Sequence, residues 1–146
     1  AKAHPDCHFF VTRGVGGEAF QCEKLMENLS LVSYLPYKEY IPQMDYVIHH
    51  GGAGIFYQCI IYGKPALILP HDYDQFDYAV RGVEAGIAFT AKRDNSEAIG
   101  QAFEKLLAIE NWPELETLRK AAQSYHPTEI LESEIHRLLA DKEKDK

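Results

Sequence analysis

The sequence predicts an α/β fold in which a parallel sheet is covered by helices on both faces and followed by a helical C-terminal tail. Three observations predict it. Over the first two-thirds of the chain, short apolar segments alternate with segments of helical composition, the pattern of parallel strands joined by crossover helices. One strand-like segment runs straight into a glycine-rich turn and then a helix. The last third carries apolar stripes at helical spacing and nothing that reads as a strand.

Each element follows in order. Cys7-His8-Phe9-Phe10-Val11-Thr12 reads as a buried strand, ended by Arg13-Gly14-Val15-Gly16-Gly17. Glu18 to Asn28 has helical composition, and Leu29 to Ser33 is a second strand. Tyr34-Leu35-Pro36 is extended, because proline disfavours helix in the residue before it. Tyr37 to Met44 holds one or two helical turns limited by Pro42. Tyr46-Val47-Ile48 is the next strand, and Ile55 to Tyr62 a buried helix closed by Gly63. Ala66-Leu67-Ile68-Leu69 is a strand stopped by Pro70, Asp74 to Ala85 a helix ended by Gly86, and Ile87-Ala88-Phe89 a last strand.

Beyond them, Asp94 and Glu97 have the spacing of a reciprocal N-terminal cap. Ile99, Ala102, Phe103, Leu106 and Leu107 then form one apolar face. Pro113 and Pro127 suit the first turns of two more helices. In the second of these, Ile130, Leu131, Ile135, Leu138 and Leu139 form a stripe for core packing or docking. Residues 1–140 are expected to be one domain lacking its first strand, since Ala1-Lys2-Ala3-His4-Pro5 looks like the end of a helix. Residues 141–146 alternate in charge and are expected to be a disordered tail.

Bulk properties narrow the function. At 146 residues and 46% hydrophobic content the chain can bury a core without staples. A net charge of −7 argues against nucleic acid or an anionic membrane as the main partner, although Arg13, Lys64 and Arg81 are local cations open to a phosphate. Cys7, Cys22 and Cys59 form no C-x-x-C pair and leave an odd count, which suits a reducing cytoplasm. No apolar run reaches transmembrane length and no signal peptide opens the sequence. Peripheral membrane attachment through another domain stays open.

The chemistry concentrates at His49-His50-Gly51-Gly52-Ala53-Gly54. A strand, a glycine turn and a helix start let backbone approach a ligand closely, with free amides and the positive end of the helix dipole favouring an anion. Neighbouring strand side chains face opposite ways, so one histidine points to the ligand and the other into the sheet. That divergence, with no third ligand at metal spacing, argues against zinc.

His50-Gly51-Gly52-Ala53-Gly54, Gly63-Lys64-Pro65-Ala66, Leu69-Pro70 and Asp74-Gln75, in this order and spacing, resemble the signature of the C-terminal domain of GT-B glycosyltransferases. The similarity is to the UDP-dependent family that includes the macrolide and glycopeptide antibiotic enzymes (glycosyltransferase family 1), and it extends from about Leu29 to Phe89. It implies a Rossmann-like GT-B C-terminal domain that binds a nucleotide-sugar donor. By this resemblance His50 and the amides of Gly52, Ala53 and Gly54, with Gly51 in the same loop, hold the diphosphate. Asp74 and Gln75 hydrogen-bond the transferred sugar.

Tyr34-Leu35-Pro36-Tyr37 stands where the family often has Trp-x-Pro-Gln. Tyr34 keeps an aromatic face for the base, but Tyr37 cannot copy the glutamine amide. Gln58 replaces a glutamate that grips the ribose, and binds without charge assistance. Ile55 and Phe56 replace a Ser/Thr pair after the glycines, and Tyr78 replaces a common asparagine. These departures point to an atypical sugar donor or a divergent subfamily. They do not remove the cradle.

Asp72-Tyr73-Asp74 read alone has the D-x-D form that holds a divalent metal in the GT-A fold. The glycine cradle and Gln75 favour sugar binding instead, with no metal or other cofactor and the UDP-sugar as substrate. Asp72 and Asp77 are left as solvated or helix-capping residues.

The expected function is the donor-binding half of a glycosyltransferase (a hexosyltransferase) that moves a sugar from a nucleoside diphosphate, most simply UDP, to an acceptor hydroxyl. No catalytic base is assigned in this chain, because the resemblance places base and acceptor pocket in an N-terminal domain. The chain alone is therefore expected to bind sugar donor without completing the reaction. Two alternatives stay open: the donor-binding subunit of a two-subunit transferase, and a sugar-nucleotide epimerase on the same fold.

Overall fold

A computed structural model of the chain describes residues 1–14 and 21–144, with side chains to residue 140. The backbone falls into two units, Ala1–Met44 and Asp45–Lys146.

In the first unit, β1 (Phe9–Thr12), β2 (Cys22–Met26) and β3 (Leu29–Val32) form a sheet in the order β1-β3-β2. β1 runs parallel to β3, and β2 runs antiparallel to it. The expected helix from Glu18 to Asn28 is therefore corrected where it is described: Cys22–Met26 is a strand, and Glu18 to Phe20 lie outside the described residues, as does Val15-Gly16-Gly17. Glu, Lys, Leu and Met favour helix intrinsically, but Met26 pairs with Leu29 across a two-residue turn, and the hairpin ladder overrides propensity. Asn28 secures the turn by donating its side-chain amide to the carbonyls of Ala1, His4 and Cys7 at 2.9–3.0 Å. β1 was expected to be buried, yet Phe10 and Val11 are each 46% exposed; among the described residues β1 pairs on one side only, with β3. The Tyr-Leu-Pro segment leads into α1 (Tyr37–Tyr40) and a 3-10 turn, Ile41–Gln43, that Pro42 opens.

The second unit has the expected architecture. β4 (Val47–His49), β5 (Ala66–Ile68) and β6 (Ala88–Thr90) form a parallel sheet in sequence order. Leu67 and Ile68 on the central strand are fully buried, as apolar residues covered on both sides should be. α2 (Ala53–Tyr62), α3 (Tyr73–Glu84), α4 (Ser96–Leu107) and α5 (Pro113–Ser124) flank it, α3 and α4 lying against the strands and α2 against α5. Gly63, at φ +63°, closes α2 by donating its amide to the carbonyls of Cys59 and Ile60.

α4 is capped one residue later than the sequence indicates. The Asn95 side chain accepts the Ala98 amide at 2.9 Å, so Asn95 takes the position expected of Asp94; both residue types cap equally well, and spacing to the apolar face decides. Ala102, Phe103 and Leu106 are buried as expected. α6 (Pro127–Lys144) behaves differently. Its residues Ile130, Leu131, Ile135, Leu138 and Leu139 remain 44–61% exposed, so among the described residues the stripe is surface, not core. Its helical backbone continues through residues 141–144 of the charged end. Among the described residues no helix is long and apolar enough to cross a membrane.

Candidate functional site

The site begins where β4 ends. Strand alternation turns His49 inward, 6% exposed, and leaves His50 exposed, as the opposed faces of a strand require. Burial, with a smaller contribution from His50, lowers the His49 pKa from its ordinary 6.5 to about 4. It is neutral at pH 7. Its Nδ1 accepts the Gly51 amide at 2.9 Å, which puts the ring proton on Nε2, where no described residue meets it.

This has a consequence for acid stability. The unfolded chain takes a proton at His49 near pH 6.5, whereas the folded chain resists until about pH 4. A folded pKa held below the unfolded value means stability is complete above 6.5 and falls as pH drops through that window. Between pH 7 and pH 5 we expect a loss of roughly 2 kcal/mol. Urea denaturation at both pH values checks it, and a His49→Asn variant with the same pH sensitivity would exclude His49 as the cause.

Gly51 makes the turn. Its φ of +93° suits glycine, and a β-carbon there would lie 3.0 Å from both the Gln75 carbonyl oxygen and Ile68 Cγ2. The turn is thus wedged between β5 and the start of α3. At Gly52 a β-carbon would come within 2.6 Å of His50 Nε2. The bare glycine is what lets the imidazole fold back over the chain. Gly52 is also the N-cap of α2 and brings no side-chain cap. The first amides of the helix, from Ala53 onward, have no intrahelical acceptor and sit at its positive end. Beside them a β-carbon on Gly54 would meet nothing within 4 Å. This helix start is open to an anion.

The residues that depart from the family's pattern have identifiable surroundings. Ile55 and Phe56 are buried, and Phe56 packs on Tyr78 with ring centroids 5.2 Å apart. The hydroxyls lost there have been replaced by core. Cys59 is buried, with its thiol pushed up to about 12, so it is inert at neutral pH. Gln58 is half-buried and its Oε1 is enclosed with no partner among the described residues.

The acidic loop is a helix cap. Asp72 is the N-cap of α3, its carboxylate accepting backbone amides of the first turn, including that of Tyr73 at 3.1 Å. Gln75 completes the reciprocal box: its Oε1 accepts the amides of His71 at 2.9 Å and Asp72 at 3.1 Å. Only the Gln75 amino group remains to meet a ligand. Asp74 stands exposed in the same turn. Among the described residues no group of three or more His, Cys, Asp or Glu comes together to hold a metal.

The structure thus brings His50, the glycine turn and Gln75 into one place, with Gly51 as the point of contact. Tyr34 and Tyr37 belong to the first unit, where both rings are exposed. Two of the expected local cations are already engaged: Arg13 with Glu23 at 3.1 Å and Arg81 with Asp77 at 2.7 Å. Lys64 lines a separate cavity of about 360 Å³ with Asp45, Glu110 and Trp112. That cavity lies before β4 and β5, at the opposite end of the strands from the turn. Asp72, not singled out as a site residue, holds Gln75, and the Asp-x-x-Gln spacing is the signal that could have revealed it.

Comparison with known proteins gives the family and the fold. The family model for the C-terminal domain of erythromycin biosynthesis protein CIII-like proteins matches residues 16–136. A sterol 3-beta-glucosyltransferase of Saccharomyces cerevisiae is 32% identical over 78 residues, 53% of this chain and 6% of that protein. The UDP-glucosyltransferase YdhE of Bacillus subtilis is 25% identical over 130 residues, 88% of this chain and 32% of that protein. The chain therefore spans at most about a third of the length of these two relatives. Among solved structures, the glycosyltransferase of kitacinnamycin superposes with a TM-score of 0.79 at 24% identity, covering 92% of this chain and 36% of that one, a likeness of fold. The glycosyltransferase VinC, solved in complex with dTDP, gives a TM-score of 0.63 at 26% identity over 69% of this chain and 26% of that one.

Proposed function

Because the chain belongs to the erythromycin biosynthesis CIII-like C-terminal domain family of GT-B glycosyltransferases, we propose that it is the part of a glycosyltransferase that binds the nucleotide-sugar donor. The observation that carries this reading is the wedge of Gly51 against Gln75, which joins an uncapped helix start to the Asp-Gln turn. An anion site and a hydroxyl-reading site side by side fit a sugar diphosphate.

The diphosphate sits on the amides of Gly52, Ala53 and Gly54 with His50 across it. Fixed hydrogen-bond donors of this kind stabilise the charge that grows on the departing diphosphate, and need no reorganisation when it forms. Asp74 accepts from sugar hydroxyls, and Gln75 donates through its amino group, its carbonyl being occupied by the α3 cap. Gln58 meets the ribose through its amino group, its Oε1 being enclosed. UDP is the simplest nucleotide, given the relatives named UDP-glucosyltransferases; the dTDP held by VinC makes thymidine diphosphate the comparison to run. We assign the base that activates the acceptor hydroxyl to a domain or subunit outside these residues.

Titration calorimetry of this chain with UDP, dTDP, UMP and UDP-glucose tests the reading. We expect the diphosphates to bind and UMP to bind much more weakly; no diphosphate binding would overturn it. Gln75 separates cap from ligand contact. Gln75→Glu keeps acceptor oxygens for the cap but loses the amino group, so melting should hardly change. The preference for UDP-glucose over UDP should fall about three- to tenfold, the worth of one hydrogen bond. An unchanged preference would leave Gln75 as a cap alone.

A further inference from the structure

We propose that His49, one residue before the cradle, is a positioning residue: by accepting the Gly51 amide at Nδ1 it fixes the left-handed turn that presents the amides of Gly52, Ala53 and Gly54 to the sugar donor. The proposal deepens the donor-binding reading and rests on it.

His49 is held through its backbone and through Nδ1. Its backbone is paired with Ile68 in the sheet, and its carbonyl accepts the Leu69 amide at 2.8 Å. The side chain turns inward and reaches forward two residues to the Gly51 amide at 2.9 Å. A side-chain acceptor two residues before an amide is the geometry by which short polar residues fix turns. Here an imidazole takes that role from the end of a strand. The bond also removes Gly51 from the anion-binding set. Its amide is spent on His49, so its part in the cradle is conformational, while those of Gly52, Ala53 and Gly54 meet no acceptor among the described residues.

The rest of the ring sharpens the argument. Nε2 must carry the proton when Nδ1 accepts, and that N–H is buried with no partner among the described residues. Leaving a buried N–H unpaired is unfavourable, and leucine or phenylalanine would fill the same space without that penalty. The acceptor at Nδ1 is what the imidazole supplies and they do not.

The test compares His49→Asn with His49→Phe in the full chain. Asparagine keeps an acceptor at the δ position; phenylalanine keeps a flat ring and loses the acceptor. We expect His49→Asn to bind UDP within about threefold of the parent. His49→Phe should lose about tenfold, with faster hydrogen exchange at the Gly51 amide. Equal losses in the two variants, or parental UDP binding by His49→Phe, would overturn the proposal. Should His49→Phe fail to fold, nitrogen-15 spectra of the unmodified chain decide. A protonated Nδ1, or a Gly51 amide that shifts with UDP more than those of residues 52–54, would overturn it. Gly51 protection and the tautomer are measured without ligand. Absence of UDP binding would therefore count against the donor site while leaving the His49 contact separately tested.

Discussion

Gly51→Ala is expected to destabilise the fold by about 3 kcal/mol and to lower UDP affinity more than a hundredfold. Two effects add. The residue holds φ at +93°, where an L side chain costs about 1–2 kcal/mol. The new methyl would also stand 3.0 Å from the Gln75 carbonyl oxygen and from Ile68 Cγ2. Neither neighbour can swing aside, because one is backbone held in the α3 cap and the other a fully buried residue of the central strand. Forced overpacking of this sort costs about 1–3 kcal/mol. Relief comes by moving the turn, which misplaces the amides proposed to hold the diphosphate. Gly100→Ala is the control, since its β-carbon meets nothing within 4 Å and it lies in α4, outside the cradle. Chemical denaturation and calorimetry on both variants check the contrast. Equal stability of the two would show that the wedge is absent.

His50→Ala should show the opposite pattern: little change in stability and a large loss of affinity. The ring is exposed and folded over Gly52, so its removal leaves no cavity. The hydrogen bond we propose from it to a phosphate oxygen is charge-assisted, worth about 2 kcal/mol, or roughly a thirtyfold weaker UDP complex. UMP, without the second phosphate, should discriminate the two proteins less. Unchanged UDP affinity in calorimetry would remove His50 from the cradle.

Much of the second unit was legible because its signals are local. Apolar triplets such as Ala66-Leu67-Ile68 are long enough for a buried strand, and Gly63 and Gly86 mark helix ends by backbone geometry that follows from their chemistry. The first unit was less legible. Cys22–Met26 is exposed along its whole length, so it carries no alternating pattern to compete with its helix-forming composition. Its strand identity comes from pairing with Leu29–Val32, a property of the pair. At the site, residue types and spacing identified the turn and the Asp-Gln pair. They did not reveal that Gln75 spends its carbonyl on the cap, that Gly51 spends its amide on His49, or that Arg81 is held by Asp77. Such commitments depend on which groups face each other once the chain has folded.

The contact between Gly51 and Gln75 also bears on how such enzymes can be re-engineered. Here the backbone of the proposed phosphate-binding segment is the wall of the proposed sugar-reading segment, and Ile68 on the strand between them completes the fit. A chimera that imports residues 71–75 from a relative while keeping 49–54 would inherit a mismatched seam. Altered sugar preference is better sought by moving both segments with their intervening strand, as a single cassette.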